Sequence, residues 1–199
     1  MSEAAWNWHA GDIIFRSGLD PFDDRIAAAT GARFGSAAIL RASSGGPRVV
    51  YVDPSDGVIE AALDKFVSGL GAQDYVVYRL AHAADWGQAD SPLSYNALLV
   101  AYGHPADPFR LPGGTEYYSA ELVFLAALGA GATLGKPTRL AALAADAPAL
   151  KAVFLDHWQD HPYCRYIVTR DECWTIIDDI AILTTASIMA APELRRVYP

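Results

Sequence analysis

The stretch FGSAAILRASSGGPRVVYVD (residues 34–53) decides the fold class. Its two ends, residues 34–42 and 48–53, are rich in apolar and β-branched side chains, and SSGGP separates them. Two such runs joined by Gly, Pro and Ser are typical of an antiparallel hairpin with a loose loop. GDIIFR (11–16) and DYVVYRL (74–80) add two more β-prone runs. The sequence therefore predicts a sheet that is mostly local and antiparallel.

A helix is predicted directly after the first strand, over residues 20–31. Asp20 is placed to cap it, Pro21 occupies the first helical position, and Gly31 stops it. A unit of one strand followed by one helix thus opens the chain.

Further helices follow the hairpin. Residues 56–70 turn at Asp56-Gly57 and are predicted to continue as a short helix, and residues 91–104 carry apolar side chains at helical spacing. Another helix is expected to begin near Ser119 after a loop rich in Pro and Gly. Residues 138–199 are expected to be helical at first and mixed later, with ELRRVYP as a tail. Strands and helices in this order predict an α+β protein.

Composition limits the possible partners. The chain has 199 residues, 52% of them hydrophobic and 19% charged, with a net charge of −8. One domain spanning 1–199 is expected. The acidic balance would repel a phosphate backbone, so nucleic acid is not expected as a partner. The longest apolar run, residues 122–132, is too short to cross a bilayer.

The N-terminus and the cysteines predict a cytoplasmic protein. MSEAAWNWHAGD has neither the basic nor the apolar region of a signal peptide, although export by a leaderless route stays open. Cys164 and Cys173 do not form the pattern of a disulfide framework or a zinc knuckle, so two reduced thiols are expected.

Five short segments occur in an order that resembles a known family. They are GDIIF, ATGARFGSAAIL, VVYVDP, YGHPAD and YYSAELV, spread over residues 11–128. This order is similar to that of the permuted papain-like amidases, circularly permuted relatives of the NlpC-type cysteine hydrolases. The resemblance implies a small antiparallel sheet or partial barrel packed against helices, with residues 138–199 as a C-terminal extension on the core.

The resemblance also implies a catalytic site, and this chain departs from it. In the family, a Cys at a helix N-terminus is the nucleophile, a His on a strand is its base, and an acid orients the His. The matching positions here are Ser119, Ser36 and Asp53. Only the acid is retained.

These two replacements predict that cysteine-type chemistry is lost. A thiol with a pKa of about 8.5 can become a thiolate at a helix N-terminus, whereas a serine hydroxyl needs a base to remove its proton. Ser36 cannot accept a proton at neutral pH, and general-base assistance is worth roughly a hundred- to ten-thousand-fold in rate. The sequence therefore favours a pseudoenzyme that keeps a pocket for an amide, ester, peptide or lipid-like ligand.

Two alternatives to the pseudoenzyme stay open. His104 could act as a recruited base for Ser119, with Asp107 as its orienting acid, which would make an active serine-dependent amidase or esterase. His104 could equally be an exposed loop histidine. The other alternative is a protein-interaction module, in which the C-terminal 60 residues carry the binding surface and side chains fill the old pocket.

The candidate pocket residues also have structural interpretations. Ser119 could cap its helix, Ser36 could serve close packing in a strand, and Asp53 before Pro54 suits a turn. The remaining pocket candidates are Tyr118, His104, Asp107 and Glu121, and a structural role is expected for Glu121.

No metal or cofactor is expected. HWQDHPYC (157–164) brings two His, an Asp and a Cys close together, but Pro162 ends any helix there and no further ligand stands at zinc-like spacing.

Overall fold

The computed structural model describes residues 6–81, 83 and 91–199. The strands are β1 (Ile13–Arg16), β2 (Ser36–Arg41), β3 (Arg48–Asp53), β4 (Gly57–Ala62), β5 (Tyr75–Leu80), β6 (Thr138–Arg139), β7 (Ala181–Ile182) and β8 (Leu194–Tyr198). The helices are α1 (Pro21–Ala29), α2 (Leu63–Phe66), α3 (Pro92–Ala101), α4 (Ser119–Gly129), α5 (Leu140–Asp146), α6 (Ala149–Phe154), α7 (Arg170–Ile177) and α8 (Thr185–Met189). Two short 3-10 turns, Trp158–Asp160 and Pro162–Cys164, lie between α6 and α7.

The described residues form a six-stranded antiparallel sheet in the order β4-β3-β2-β1-β5-β8. The predicted hairpin is confirmed, with Ala38 paired to Tyr51. The first helix is confirmed as well, because the Asp20 carboxylate accepts the Phe22 amide at 2.8 Å and caps α1. The chain is thus an α+β protein, as its pattern predicts.

Two predicted elements differ from the structure. Residues 57–62 form strand β4, so the helix expected there is confined to Leu63–Phe66. The segment ELRRVYP is no tail, because β8 pairs with β5 and extends the sheet. In both cases hydrogen bonds to a neighbouring strand decide the conformation, and local propensity cannot reveal such a neighbour.

Apolar side chains cover both faces of the sheet. On one face, Ile13, Phe15 and Ile39 belong to the core that includes α3 and α4. On the other face, Ile14 and Leu40 join α2 in a second core. A third apolar cluster joins α1 to α5, α6 and α7 in the C-terminal segment; its buried members are Ile26, Leu140, Leu150, Val153, Phe154, Leu155, Cys164, Cys173, Ile177 and Ile182.

The expectation of two reduced thiols is wrong. Cys164 and Cys173 form a disulfide with a Cα–Cα distance of 5.3 Å. The turn Pro162–Cys164 folds back against α7, which brings together two side chains that the sequence separates by eight residues. A cytoplasmic location stays a prediction, and the disulfide weighs against it because the cytosol keeps thiols reduced.

Reducing this disulfide is expected to lower the free energy of unfolding by about 3 kcal/mol. The bridge closes a short loop, and its loss returns conformational entropy to the unfolded chain. Urea denaturation with and without a reductant measures the difference. A variant with both cysteines replaced by alanine is the control, since a reductant should leave it unaffected. Equal midpoints for the oxidised and reduced wild type would contradict the prediction.

In the part of the chain that the structure describes, no helix is long and apolar enough to cross a membrane.

Candidate functional site

Ser119 is the first residue of α4, and its side chain points into the protein. It is 2% exposed, and its hydroxyl donates a hydrogen bond to Oδ2 of Asp23 at 2.8 Å. The N-cap of α4 is Tyr118, whose side chain makes no capping hydrogen bond. The capping interpretation of Ser119 is therefore wrong, because the hydroxyl donates to a carboxylate and accepts no backbone amide.

The partner of Ser119 belongs to a buried ion-pair network. Arg110 donates to Oδ1 of Asp23 from Nε at 2.9 Å and from Nη2 at 2.7 Å. Nη2 also donates to Oδ2 of Asp20 at 2.5 Å, and Nη1 donates to the carbonyl of Asp107. Burial and the neighbouring Asp20 raise the pKa of Asp23, while Arg110 and Ser119 stabilise its charged form.

Aromatic rings enclose the Arg110 guanidinium. It lies 4.9 Å from the centre of the Phe22 ring and 5.6 Å from that of Tyr118. Tyr118 is anchored in turn, because its hydroxyl accepts the Leu183 amide at 2.9 Å. Arg110 has a φ of 59°, a left-handed conformation that is uncommon for a residue with a side chain. The network therefore joins α1, the 107–111 loop, α4 and residue 183.

Ser36 and Asp53 lie on adjacent strands, as the resemblance requires. The β2–β3 register, continued two residues past the pair Ala38–Tyr51, places them opposite each other. Asp53 accepts the backbone amides of Ser55 at 2.9 Å and Asp56 at 3.1 Å, so it organises the turn. Ser36 is fully buried, and its hydroxyl has no hydrogen-bond partner among the described residues.

His104 and Asp107 do not form a base and orienter for Ser119. Nδ1 of His104 lies 2.9 Å from the carbonyl oxygen of Thr115, to which it donates, and the ring packs edge-on against Tyr117. Asp107 is buried and accepts the amides of Phe109, at 2.7 Å, and Leu111. Its carboxylate holds the loop, and no hydrogen bond between described residues joins it to the His104 ring.

Glu121 lies in the first turn of α4, two residues after Ser119, and its side chain is buried. Oε1 accepts the Gly113 amide at 3.3 Å, and Oε2 has no hydrogen-bond partner among the described residues. Burial, with the nearby Asp107 adding to it, raises the pKa of Glu121 to about 7. The protein therefore holds a carboxyl group that is half protonated near neutral pH.

The raised pKa of Glu121 predicts that stability falls as pH rises from about 5 to 8. The folded chain keeps this proton up to about pH 7, whereas an unfolded Glu loses it near pH 4.3. Over this pH range the free energy of unfolding of the wild type should fall by about 1–3 kcal/mol because of Glu121, and Glu121→Gln should not show this fall. Urea denaturation at several pH values measures the effect. Glu116→Gln, an exposed change nearby, is the control and should behave as the wild type does. The prediction would be contradicted if the difference in free energy of unfolding between the wild type and Glu121→Gln stayed constant with pH.

The cavity beside the network is very small. Its volume is about 10 Å³, and Asp23, Gly35, Arg110, Tyr118 and Ala120 are among the residues that line it. A volume of about 10–15 Å³ accommodates a single water molecule. Among the described residues, this cavity therefore has no room for a substrate beside Asp23.

A larger groove lies on the other side of α1, with a volume of about 420 Å³. Its apolar lining includes Phe22, Phe109, Val153 and Phe154, and its polar lining includes Asp20, Arg25, Asp156, His157 and Asp160. The ion pair between Arg25 and Asp156, 2.8 Å long, links α1 to the C-terminal segment beside this groove. Sites for small ligands typically have volumes of about 300–1,000 Å³ with mostly apolar walls.

Neither Asp23 nor Arg110 is predicted as a site residue from the sequence, and Asp20 is predicted only as a helix cap. The two residues of the Asp23–Arg110 pair are 87 positions apart in the chain. An acidic first turn of a helix and an arginine in a Pro/Gly-rich loop are each ordinary features. The sequence did contain one signal, since Arg110 is the only Lys or Arg between Arg79 and Lys136.

Comparison with known proteins shows the fold alone. No family model matches the chain, and no curated protein matches it. Among solved structures, the chain is similar to the metalloprotein yiiX of Escherichia coli O157:H7, described as DUF1105. The TM-score is 0.72 at 19% sequence identity, with 98% of this chain and 100% of that chain covered. The two proteins share a fold over nearly their whole lengths.

These findings contradict the predicted membership of the permuted papain-like amidase family. The solved structure with the same fold carries the designation of a distinct family, and no family model supports the amidase assignment. Short motifs of common residues in a plausible order can arise without common family membership. The roles of Ser119, Ser36 and Asp53 as former triad positions lose that basis, and the observed geometry is what remains.

Proposed function

We propose that this chain is a non-catalytic binding protein whose ligand occupies the groove between α1 and the C-terminal segment. The observation that carries the proposal is the state of Ser119: its hydroxyl is buried and donates to Asp23, which lines a cavity for one water molecule. A nucleophilic serine needs a free base and room for an acyl group. The carboxylate that accepts this hydroxyl, Asp23, is paired with Arg110, and the cavity that Asp23 lines has room for one water molecule but not for an acyl group.

The groove has the size and lining of a binding site. The rings of Phe22 and Phe154 pack edge to face with centres 5.3 Å apart, and this pair forms an aromatic part of the groove lining. Three of the lining side chains are aspartates and one is an arginine, so the groove carries an excess of negative charge. This chemistry favours a ligand with an aromatic or aliphatic body that is neutral or positively charged, such as an amide or an amine.

The fold neighbour is described as a metalloprotein. Among the described residues of this chain, no group of three or more His, Cys, Asp or Glu side chains lies close enough to hold a metal ion. We therefore assign a metal to no residue here.

A fluorophosphonate probe tests the lack of catalysis. We expect no covalent labelling of the wild type, as in a Ser119→Ala control, because the hydroxyl is buried and its carboxylate partner, Asp23, is paired with Arg110. Labelling that disappears in Ser119→Ala would instead establish the alternative, a serine-dependent hydrolase.

Small probes of matched size test the groove. Phenethylamine and N-acetylphenylalaninamide should shift the NMR signals of Phe22, Phe154 and His157, and phenylpropionate should shift them less because of the acidic lining. Val153→Trp should fill the groove and weaken binding, while Val168→Trp, at a position 86% exposed and outside the groove, should not. Shifts confined to other regions, or stronger binding of phenylpropionate, would overturn the proposal.

A further inference from the structure

The outer face of α3 and α4 is apolar and exposed. Tyr95 is 65% exposed, Leu99 67%, Tyr102 54% and, on α4, Leu128 52%. Residues 95, 99 and 102 are spaced at i, i+4 and i+7, so they follow one stripe along α3 and its C-terminal end. We name this stripe together with Leu128 the α3/α4 face.

This arrangement is unusual for a surface helix. The inward side of α3 already packs Leu93, Ala97 and Ala101 into the core. A helix on the surface of a monomer normally carries polar and charged side chains on its other side. In α3, large apolar side chains occupy both sides, as in a helix that is buried by packing partners on every side.

The two helices pack directly against each other. They run antiparallel, because the Tyr117 hydroxyl donates to the carbonyl of Val100 at 3.2 Å near one end, and Asn96 donates to the carbonyl of Ala126 at 3.4 Å near the other. A side chain at Gly129 would collide with Asn96, so the helices also approach closely there. The α3/α4 face is therefore preorganised for docking.

The distribution of charge favours a second copy of this chain as the partner of the α3/α4 face. Residues 91–103 contain no charged side chain, and residues 117–135 contain only Glu121, which is buried. The whole chain has a net charge of −8, so most of its surface would repel another copy. At the α3/α4 face, two copies can meet without like charges opposing each other.

We propose that a second copy of this chain binds the α3/α4 face and forms a symmetric dimer. A two-fold axis brings the same face of each copy together, and the four helices bury their exposed apolar side chains. Exposed tyrosine and leucine side chains of this number present on the order of 500 Å² of apolar surface. With the residues around them they approach the roughly 800 Å² per partner of a standard interface.

The oligomeric state of the full-length protein tests this proposal. Light scattering coupled to gel filtration, and analytical ultracentrifugation across micromolar concentrations, should give twice the chain mass of 21.4 kDa. Leu99→Glu and Leu128→Glu should each weaken self-association by about tenfold or more, because each places a charge in an apolar interface. Val168→Glu, at an exposed position away from this face, should leave the dimer intact.

Other results would overturn the proposal. A monomer at every concentration would do so, as would a dimer that persists in both glutamate variants with unchanged circular dichroism. Sedimentation of the wild type, but not of Leu99→Glu, with phosphatidylcholine vesicles would identify the α3/α4 face as a lipid-binding surface instead.

Discussion

Replacing Asp23 with alanine is expected to lower the free energy of unfolding by about 3–5 kcal/mol. The change removes the acceptor of both the Ser119 hydroxyl and two Arg110 hydrogen bonds. Arg110 would remain buried with only Asp20 as a charged partner, and an incompletely compensated buried charge is costly. Urea denaturation monitored by circular dichroism measures the loss.

Two further variants separate the ion pair from the hydroxyl. Ser119→Ala leaves the Asp23–Arg110 pair intact and should cost only about 1 kcal/mol, as for one hydrogen bond. Asp23→Ala combined with Arg110→Met should be more stable than Asp23→Ala alone, because the unpaired cation is gone. If Asp23→Ala lowers the free energy of unfolding no more than Ser119→Ala does, the buried Asp23–Arg110 pair does not stabilise the fold as its geometry indicates.

Asp12→Ala is the second change with a large expected effect, also about 3–5 kcal/mol. The Asp12 carboxylate is fully buried and accepts Nε of Arg79 at 2.6 Å on one oxygen. The other oxygen accepts Nη2 of Arg79 at 2.9 Å, and the Trp6 indole and the His9 amide at 3.0 Å each. Four donors would lose their acceptor at once, and the N-terminal segment would lose one of its links to β5.

An exposed ion pair provides the matched control for Asp12. Arg139 and Asp179 lie 3.3 Å apart and are mostly solvent-exposed, so Asp179→Ala should change stability by less than about 1 kcal/mol. Thermal and urea unfolding of both variants under one buffer condition gives the comparison. Equal losses in the two variants would show that burial does not set the strength of these pairs.

The strands of the hairpin and the first helix could be predicted because their signals are local. The run over residues 34–53 carries its own turn, and Asp20 caps the helix that directly follows it. Strand β4 could not be predicted in the same way, since its conformation depends on pairing with β3. The disulfide was missed because its formation depends on a turn that folds Cys164 back against α7.

Only the secondary structure around the candidate site was predicted. The start of a helix near Ser119, a strand at Ser36 and a strand end at Asp53 agree with the structure. Their assignment as one site rested on a family resemblance that the comparisons contradict. The hydrogen-bond partners of Ser119 were missed. His104, which one alternative hypothesis took as its base, donates to a backbone carbonyl. Sequence order alone could not show that Arg110 and Asp23 are in contact.

By itself, the sequence determined the α+β class, the antiparallel hairpin and the acidic, low-charge character of the chain, because these depend on neighbouring residues and on composition. Only the tertiary structure decided that the Ser119 hydroxyl is buried against Asp23 and that a groove opens on the other side of α1. The physical reason is that hydrogen-bond partners and cavities depend on which distant segments pack together, and that packing is a property of the whole chain.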